Sequence, residues 1–477
     1  MNEKRQRAVG AREVALLALR DVDEGQAYAG LALDRALKGR SLSRRDRALA
    51  TELVYGASRR RNTLDWAIAQ ASTRPVDKMS PWVRADLRLA AYQLLFLDRI
   101  PPSAAVNEAV ELAKRYGHAG LAGFVNGVLR GLLRKKAGLR YPDPAEDPVG
   151  YLALRHSHPD WLVKRWLARY GFAATESLLR ANNENPPLVL RPNRLKTDHE
   201  GLLRALEAEG AATEPARLVP EAVVLREGPA FEDLKSFRDG LFSVQDEGSI
   251  LVGQVLRPRP GDTVLDACAA PGGKSTHLAE LMDNQGRVVA VDPHDHKLKL
   301  IEDNARRLGT SIVTPQLGDA RDVGRAMAGQ ADAVLVDAPC SGLGVLRRRP
   351  DARWRKSPEQ VEELHRLQVE ILEGAAAALC PGGTLVYSTC TMEPEENQGT
   401  LQAFLDRHPE FRPESLRPYL PAALAGEPGV EQGWLQLLPH VHGTDGFFIA
   451  RLIRGADGAA VDGAEEIGEQ PSKATGA

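Results

Sequence analysis

The sequence predicts a multidomain protein with an all-α bundle, a small α/β domain and a larger α/β domain built on a mostly parallel sheet. Apolar residues recur at helical spacing from residue 10 to 136, helix and strand signals are mixed from about 150 to 240, and strands alternate with helices from 241 to 453. A chain of 477 residues also exceeds what one ordinary core can organise. We therefore expect domains at 1–140, 150–240 and 241–453, followed by a disordered tail at 454–477.

The first domain is predicted to consist of helices only. In the stretch PWVRADLRLAAYQLLFLDRIPP (81–102), apolar residues recur every three or four positions, and Pro101 and Pro102 should end the helix. Ser103 is a suitable N-cap for the next helix. A last helix has an apolar face made up of Leu121, Phe124, Val125, Val128, Leu129, Leu132 and Leu133. These helices together supply enough apolar surface for an independent bundle.

Charge is distributed unevenly along the chain. Residues 1–140 carry a balance of +12 and the remainder −14, although the whole chain has a formal net charge of only −2. Lysine and arginine cluster at 44–47, 59–61 and 134–136. A basic module on a neutral-to-acidic body favours a polyanionic partner such as nucleic acid. On charge alone, a well-solvated helical surface is an equally good interpretation.

Composition argues against several classes of protein. The sequence has no run of eighteen apolar residues, so no membrane span is expected. The N-terminus is basic and amphipathic without the apolar core of a secretion signal, so we expect a cytoplasmic protein. The cysteines, at positions 268, 340, 380 and 390, show no CxxC spacing. That pattern argues against a zinc site or a disulfide framework, and no metal is expected.

The third domain is predicted to contain a mostly parallel sheet covered by helices. Its strands are expected within TVLDAC, RVVAVD, IVTPQ, AVLVDAP, TLVYST and FFIARL, with helices such as HKLKLIEDNARRLG between several of them. Ligands of open α/β sheets bind beyond the carboxyl ends of the strands. The residues that follow each strand are therefore the candidates for a functional site.

The loop after the first of these strands has the composition of a ligand-binding loop. It contains the segment CAAPGGK (268–274), in which Pro271, Gly272 and Gly273 allow close approach of a ligand to the backbone. The helix that follows presents free N–H groups to the same place. A phosphate-binding loop is a weaker interpretation, because Cys268 stands where that motif requires its first glycine.

Acidic residues follow the next two strands. Asp292 ends the second strand, where a carboxylate suits the two hydroxyls of a ribose. Asp319 follows the third strand and could reach an adenine amino group. Acids at successive strand ends favour a nucleoside cofactor without phosphates, because phosphates would be repelled.

Two thiols follow strands that should lie near the centre of the sheet. Cys340 comes after AVLVDAP and Cys390 after TLVYST, so their side chains should converge beside the cofactor. A thiolate is a strong nucleophile, and its addition to C6 of a cytosine would activate C5 for methylation. Asp337 is placed to hydrogen-bond the ring at N3. Small cysteines that merely pack at strand ends are the alternative interpretation.

These segments resemble the successive motifs of the RNA cytosine-C5 methyltransferases of the NOL/NOP2/Sun type. The resemblance rests on DACAAPGGKSTH, AVDPHDHKLKLIEDNARRLG, LGDAR, DAPCSGLGVLRRRPDARW and STCTMEPEEN, with SVQDEGS and GTDGFFIARL flanking them. The helical first domain resembles the transcription antitermination factor NusB. Together the two resemblances cover roughly residues 10–453.

The resemblance implies methyl transfer from S-adenosylmethionine to C5 of a cytosine in small-subunit (16S) rRNA, through a covalent cysteine–C6 adduct. The third domain would then be a Rossmann-like class I methyltransferase domain with a seven-stranded sheet, and the second a small RNA-recognition domain. The expected partner is RNA, as naked or early-assembly 16S rRNA, and a monomer is expected. A tRNA or 23S rRNA cytosine-C5 methyltransferase and a non-catalytic RNA-binding or antitermination module stay open as alternatives.

The resemblance also implies roles for individual residues. Cys390 is the expected nucleophile, Cys340 assists release of the methylated product, and Asp337 faces the target base. The expected contacts with S-adenosylmethionine are Cys268, Ala269, Ala270, Pro271, Gly272, Gly273, Lys274, Asp292, Asp319 and Asp337. From the residues themselves, the run 347–349 (RRR) is either a set of phosphate contacts at the catalytic mouth or an exposed charged loop.

Overall fold

A computed structural model gives the structure of the chain; it describes residues 10–25 and 27–456 and divides into two compact units. Among the described residues, the first unit comprises those up to 184 together with 346–355, and the second comprises 185–345 and 356–456. The predicted disordered tail lies almost wholly outside the described residues. Within the described ranges, no helix is long and apolar enough to cross a membrane. The domain boundaries expected from the sequence stay predictions.

The first unit is built of helices, and those between residues 11 and 135 surround one apolar core. Its helices are α1 (Ala11–Asp23), α2 (Ala29–Leu37), α3 (Arg44–Arg59), α4 (Arg61–Ala71), α5 (Pro81–Phe96), α6 (Pro102–Tyr116), α7 (Ala119–Lys135), α8 (Pro148–His156) and α9 (Asp160–Ala181). Leu16, Leu53, Leu87 and Leu129 are among the fully buried side chains, and each contributes about 1.5–3 kcal/mol by leaving water. The all-helical bundle predicted for this part of the chain is confirmed.

Helix starts in this unit follow local hydrogen bonding, with one difference from expectation. Ser43 accepts a hydrogen bond from the Asp46 amide and caps α3. The prediction that Ser103 caps a helix is wrong, because Pro101 occupies the N-cap position and α6 begins at Pro102. Proline suits the first helical position, since an N–H there would have no acceptor within the helix.

The segment 346–355, here called the inserted segment, is held in the first unit by a buried arginine. Arg353 is fully buried and donates to Ser157 O at 3.0 Å, Asn182 O at 3.1 Å and Asn183 Oδ1 at 2.9 Å. Burial lowers the pKa of the Arg353 guanidinium well below its ordinary value. The guanidinium therefore serves to hold backbone and amide oxygens together.

Further contacts of the inserted segment correct the expectation for its arginines. The Ala29 amide donates to Asp351 Oδ2 at 2.9 Å. Arg347 is only 4% exposed, and its carbonyl oxygen accepts a hydrogen bond from Arg59. Arg349 is exposed. The run of three arginines is therefore neither a uniformly exposed loop nor three accessible phosphate contacts.

The basic clusters of the first unit differ in exposure. Arg44, Arg45 and Arg47 are exposed, as is the cluster at 134–136. In the cluster at 59–61, Arg59 is buried and its two neighbours are half-buried, and burial lowers the pKa of all three. Among these clusters, the first and third therefore present positive charge to solvent.

The second unit contains two sheets, of which the smaller is antiparallel. Its elements are β1 (Leu188–Pro192), α10 (His199–Ala208), β2 (Ala212–Pro215), β3 (Val223–Glu227), α11 (Lys235–Arg238) and β4 (Phe242–Val244). The strands lie in the order β2-β3-β1-β4. Leu190, Val223 and Phe242 pack with Leu202 and Leu206 of α10 in a small core. The small α/β fold predicted here is confirmed.

The larger sheet extends over the rest of the described chain. Its elements are α12 (Glu247–Leu256), β5 (Thr263–Asp266), α13 (Gly273–Leu281), β6 (Arg287–Asp292), α14 (Asp295–Leu308), β7 (Val313–Leu317), α15 (Ala320–Ala326), β8 (Ala331–Asp337), α16 (Pro358–Ala376), β9 (Leu379–Thr389), α17 (Thr400–Leu405), β10 (Phe411–Pro413), β11 (Trp434–Leu437), α18 (Pro439–His442) and β12 (Phe447–Arg454). The strand order is β10-β12-β9-β8-β5-β6-β7.

Strand direction in this sheet agrees with the predicted topology. β7, β6, β5, β8 and β9 pair in parallel, and β12 is antiparallel to β9. The outer edge of β12 pairs with both β10 and β11, neither of which was located in the sequence, so the sheet is seven strands wide and holds eight strands. Because β5, β8 and β9 are adjacent and parallel, their carboxyl ends meet at one edge of the sheet.

Candidate active site

The loop between β5 and α13 lies against the ends of neighbouring strands. The Ala269 amide donates to Val291 O of β6 at 2.8 Å, and the Gly272 amide donates to Ala269 O at 2.7 Å. Gly272 has φ +98°, and a Cβ at this position would lie 3.1 Å from the Cα of Ile301. A side chain would therefore strain the backbone and crowd α14. The loop is a tight cradle that depends on glycine.

A buried acid beneath this loop was not predicted. Asp266 ends β5 with no exposed surface, and Ser275 Oγ donates to its Oδ2 at 2.6 Å. Burial raises the pKa of Asp266 to about 6, against the opposing effect of the Ser275 hydrogen bond. The contact ties the end of the strand to the first turn of α13. A lone aspartate in an apolar strand carries too weak a sequence signal to reveal this role.

The two predicted strand-end acids have different surroundings. Asp292 is 5% exposed, and its contacts with the His294 amide, the His294 ring and Lys297 all use Oδ1. Its Oδ2 has no hydrogen-bond donor within the described chain and is left for a ligand hydroxyl. Asp319 instead pairs through both oxygens with Arg321, which lowers the pKa of Asp319. A ligand amino group would share Asp319 with that guanidinium.

The two predicted thiols meet at the carboxyl edge of the sheet. Cys340 Sγ and Cys390 Sγ lie 3.2 Å apart, and both residues are half-buried. The loops that carry them are joined by backbone bonds, because the Ala338 amide donates to Ser388 O at 2.9 Å and the Gly344 amide donates to Cys390 O at 3.0 Å. The convergence predicted from sequence is therefore present in the structure.

An ion pair connects the cradle to the thiols. Lys274 Nζ lies 2.6 Å from Asp337 Oδ2, and Ser388 Oγ donates to Asp337 Oδ1 at 2.8 Å. Burial opposes the charge on Lys274, but Asp337 and Cys390 together raise the pKa of its ammonium group. The ammonium group is thus placed to stabilise negative charge on both the carboxylate and the Cys390 sulfur.

The remaining cysteines lie apart from this pair. Cys268 is in the cradle, where burial and the charge of Asp266 raise the pKa of its thiol. Cys380 is half-buried near the start of β9, with its Sγ 4.0 Å from Asp332 Oδ1. The part of β9 in regular register, which begins at Thr384, alone separates it from Cys390 by roughly 20 Å. Cys380 therefore offers a control thiol outside the site.

Polar residues beneath the thiols were missed by sequence reasoning. They lie on the loops after β8 and β9 and on the helices that follow, and they are Ser341, Gln368, Thr391, Glu396 and Asn397, all buried. Thr391, Glu396 and Asn397 lie in the acidic stretch TMEPEEN, whose composition is typical of a solvated turn and so does not indicate burial. Within the described ranges, no group of three or more His, Cys, Asp or Glu side chains is arranged to hold a metal ion.

A mostly parallel sheet, a glycine-dependent cradle and a thiol pair at one edge define an α/β methyltransferase domain. Family models match three parts of the chain: 16S rRNA methyltransferase RsmB/F over residues 253–453, the NusB family over 10–134, and an RsmF/B-like ferredoxin-like domain over 158–232. Their order matches the order of the helical unit and the two sheets.

Whole-chain comparisons agree with these matches. The probable ribosomal RNA small subunit methyltransferase B of Bacillus subtilis is 46% identical over 92% of this chain and 98% of its own length. Among solved structures, PH0851 superposes with a TM-score of 0.79 at 30% identity, covering 94% of this chain and 99% of its own. NSun6 from Pyrococcus horikoshii with SFG gives 0.57 at 26% identity, covering 63% and 98%. The chain therefore belongs to the RsmB/F family of 16S rRNA methyltransferases.

Proposed function

We propose that this enzyme methylates C5 of a cytosine in 16S rRNA, with S-adenosylmethionine as methyl donor and a covalent bond between Cys390 and C6 of the base. The observation that carries the proposal is the 3.2 Å separation of the Cys340 and Cys390 sulfur atoms at the strand ends. Methylation of a less reactive ring carbon needs a nucleophile of this kind, whereas methylation of a ring nitrogen does not. Membership of the RsmB/F family supports the choice of rRNA.

The first step uses Cys390 and its charged neighbours. The Cys390 thiolate adds to C6, and the electron pair of the C5–C6 double bond becomes available at C5. Lys274 stabilises the thiolate before addition, and Asp337 hydrogen-bonds the ring as its charge changes. Bound S-adenosylmethionine supplies the electrophilic methyl group.

The second step releases the product. A general base takes the C5 proton, the electron pair of the C5–H bond re-forms the C5–C6 double bond, and the C6–S bond breaks to return Cys390 as a thiolate. Cys340 assists this release, since its sulfur is in contact with the departing one. A chain lacking Cys340 is expected to accumulate the adduct.

The residues of the cradle suit the proposed methyl donor. Because Gly272 has no side chain, a flat or extended ligand can approach the backbone of the cradle closely. Asp292 Oδ2 is left to accept hydrogen bonds from a ribose. The proposed contacts are Cys268 to Lys274, Asp292, Asp319 and Asp337. A neighbour in structure, NSun6, is described with SFG, an analogue of S-adenosylmethionine, which supports the same choice of cofactor.

The helical unit is the proposed second RNA contact. Its exposed arginines at 44–47 and its basic cluster at 134–136 offer positive charge to a phosphate backbone. We propose naked or early-assembly 16S rRNA as the substrate, with the enzyme acting as a cytoplasmic monomer.

The test compares three cysteine variants on the same substrate. Deproteinised 16S rRNA is incubated with labelled S-adenosylmethionine and wild type, Cys390→Ala or Cys380→Ala, and 5-methylcytosine is measured by nucleoside mass spectrometry. Cys390→Ala should lose transfer, while Cys380→Ala should keep it, because Cys380 lies at the far end of β9. Cys340→Ala should give a protein–RNA adduct that resists denaturation.

Two outcomes would contradict the proposal. Transfer by Cys390→Ala at the wild-type rate would remove that thiol from the mechanism. Transfer to tRNA or 23S rRNA in preference to 16S rRNA would keep the chemistry and replace the substrate.

A further inference from the structure

A buried carboxylate holds the turn that carries Cys340. Glu396 has no exposed surface, and it accepts hydrogen bonds from the Ser341 amide at 2.7 Å and from Ser341 Oγ at 2.5 Å. Gln368 Nε2 donates to Glu396 Oε1 at 3.0 Å and to Pro339 O at 2.9 Å. The residues on both sides of Cys340 are therefore fixed by one carboxylate and the amide that binds it.

The next residue in the chain does the same for Cys390. Asn397 is also fully buried; its Oδ1 accepts from Thr389 Oγ1 at 2.6 Å, and its Nδ2 donates to Thr391 O at 3.2 Å. A contact of 2.8 Å between the Ser341 and Thr391 hydroxyl oxygens joins the two loops. Adjacent side chains of a single π-helical turn, Glu395–Gly399, thus set the positions of both thiols.

The charges around the two sulfur atoms are unequal. Ser341, the residue after Cys340, binds the Glu396 carboxylate, so Cys340 is near a negative charge. Cys390 instead interacts with a positive charge, because it acts with Asp337 to raise the pKa of the Lys274 ammonium group. The hydrogen bond with Cys390 and burial, together with the charges of Cys390 and Glu396, raise the pKa of the Cys340 thiol. Two sulfur atoms in contact do not both ionise, because like charges at this distance repel strongly.

The ionisation state of Glu396 follows from its partners. Burial raises its pKa, and the donors of Ser341, Gln368 and Thr391 oppose that effect. The backbone N–H of Ser341 and the Nε2 of Gln368 can only donate, so both favour the carboxylate. A negative charge beside Cys340 disfavours a second one on its sulfur.

We propose that Glu396 is a positioning residue for methyl transfer: it fixes the turn that carries Cys340 and directs the negative charge of the thiol pair to Cys390. Cys340 then remains a thiol in the free enzyme, with its proton toward the Cys390 sulfur. This inference rests on the proposed function for its catalytic meaning, but the charge distribution itself is independent of any substrate. It gives a physical reason why Cys390, and not Cys340, is the nucleophile.

The decisive measurement titrates Cys340 alone. In a Cys390→Ala background, the rate of iodoacetamide alkylation of Cys340 is followed against pH by peptide mass spectrometry, with and without Glu396→Gln. Glutamine keeps the shape of the side chain and an acceptor for the Ser341 amide while removing the charge. A unit charge about 6 Å away at an effective dielectric constant of about 20 changes the thiolate population roughly a hundredfold. We expect Glu396→Gln to raise the alkylation rate at pH 7.5 by about tenfold to a hundredfold.

Matched variants separate charge from position. Glu362→Gln removes an exposed carboxylate from the same unit and should leave the alkylation profile unchanged. Asn397→Ala removes the contacts that hold the loop of Cys390 but keeps Glu396 and its donors, so it should lower kcat without moving the Cys340 profile. If Glu396→Gln does not yield folded protein, Glu396→Asp keeps the charge on a shorter side chain and should shift the profile by less than the loss of charge would.

The result that would overturn the inference is an identical Cys340 profile with and without the Glu396 charge. Since alkylation needs neither RNA nor methyl donor, this outcome would leave the proposed function intact. In the otherwise wild-type enzyme, Glu396→Gln should lower kcat while the KM for RNA stays near its original value. A rise in KM alone would assign Glu396 to RNA binding and also contradict the proposal.

Discussion

Lys274 and Asp337 form an ion pair of 2.6 Å that joins the ligand cradle to the edge of the sheet where the thiols lie. The lysine comes from the first turn of α13 and the aspartate from the end of β8. The lysine, whose pKa rises further because of Cys390, is thus shared between the carboxylate and the Cys390 sulfur. Under the proposed function, a single cation therefore links the methyl donor, the target base and the nucleophilic sulfur.

Replacing Lys274 by methionine should lower kcat about 100-fold, a usual effect of removing one preorganised electrostatic partner. The ammonium group that stabilises the Cys390 thiolate would be lost, so alkylation of Cys390 by iodoacetamide should require higher pH. Lys299→Met, on the exposed face of α14, is the control and should change neither quantity. Unchanged alkylation in Lys274→Met would show that the lysine does not support the thiolate.

Gly272→Ala should weaken binding of S-adenosylhomocysteine by about tenfold or more, as measured by calorimetry. The added Cβ would lie 3.1 Å from the Ile301 backbone at a position with φ +98°. Gly261→Ala is a matched control, because Gly261 has φ +96° and open space around its Cβ position. The control should cost about 1 kcal/mol of stability and leave ligand affinity unchanged. Equal loss of affinity in both variants would point to general strain.

Arg353→Met should loosen the inserted segment. Loss of the guanidinium leaves buried oxygens of Ser157, Asn182 and Asn183 without that donor, at a cost of about 1–3 kcal/mol for each one that stays unpaired. Hydrogen exchange should rise in peptides covering 346–355 and α8. Arg349→Met removes an exposed charge from the same segment and should not change exchange. Protection equal to wild type in Arg353→Met would contradict the assigned role.

Asp86 should make the helical unit less stable as pH rises. It is 2% exposed, neither carboxyl oxygen has a hydrogen-bond partner within the described chain, and burial raises its pKa well above the ordinary value. The folded state therefore holds this proton more tightly than the unfolded state does. Its contribution is fully present below the unfolded pKa of about 3.9 and is lost as pH rises toward the folded pKa.

Asp86→Asn removes this titration and should slow hydrogen exchange in α5 at pH 8 relative to wild type, with a smaller difference at pH 5. The control is Asp77→Asn, because the Asp77 side chain is 71% exposed. This variant should show no such pH dependence. A difference between wild type and Asp86→Asn that is the same at both pH values would show that the carboxyl does not titrate in this range.

The strands of the larger sheet and the meeting of the thiols were predictable from sequence for the same reason. Apolar, β-branched runs such as Val288–Val291 are buried on both faces, and parallel strands place the residues that follow them at one edge. That topology brings the loops of Cys340 and Cys390 to the same edge of the sheet. The roles of the two thiols could be predicted only through a family resemblance, because spacing says nothing about the charges around each sulfur.

What could not be predicted depends on contacts between distant parts of the chain. Glu396 lies in an acidic stretch that is typical of a solvated turn, and its burial requires Ser341 and Gln368 as donors. Arg353 belongs to a charged run, and its partners are more than 150 residues away in sequence. Composition predicts exposure for such residues, since a charged group is rarely buried without specific partners.

The inserted segment also determines how this protein can be shortened. Sequence order alone suggests truncating the chain between the helices and the sheets. Arg353 lies on the C-terminal side of such a cut, but its hydrogen-bond acceptors lie on the N-terminal side. A fragment beginning at residue 185 would carry an arginine whose acceptors at 157, 182 and 183 had been deleted. Loss of methyl transfer in that fragment would therefore have two causes. One is disorder of the inserted segment, only a few positions beyond Cys340, and the other is the missing RNA contact.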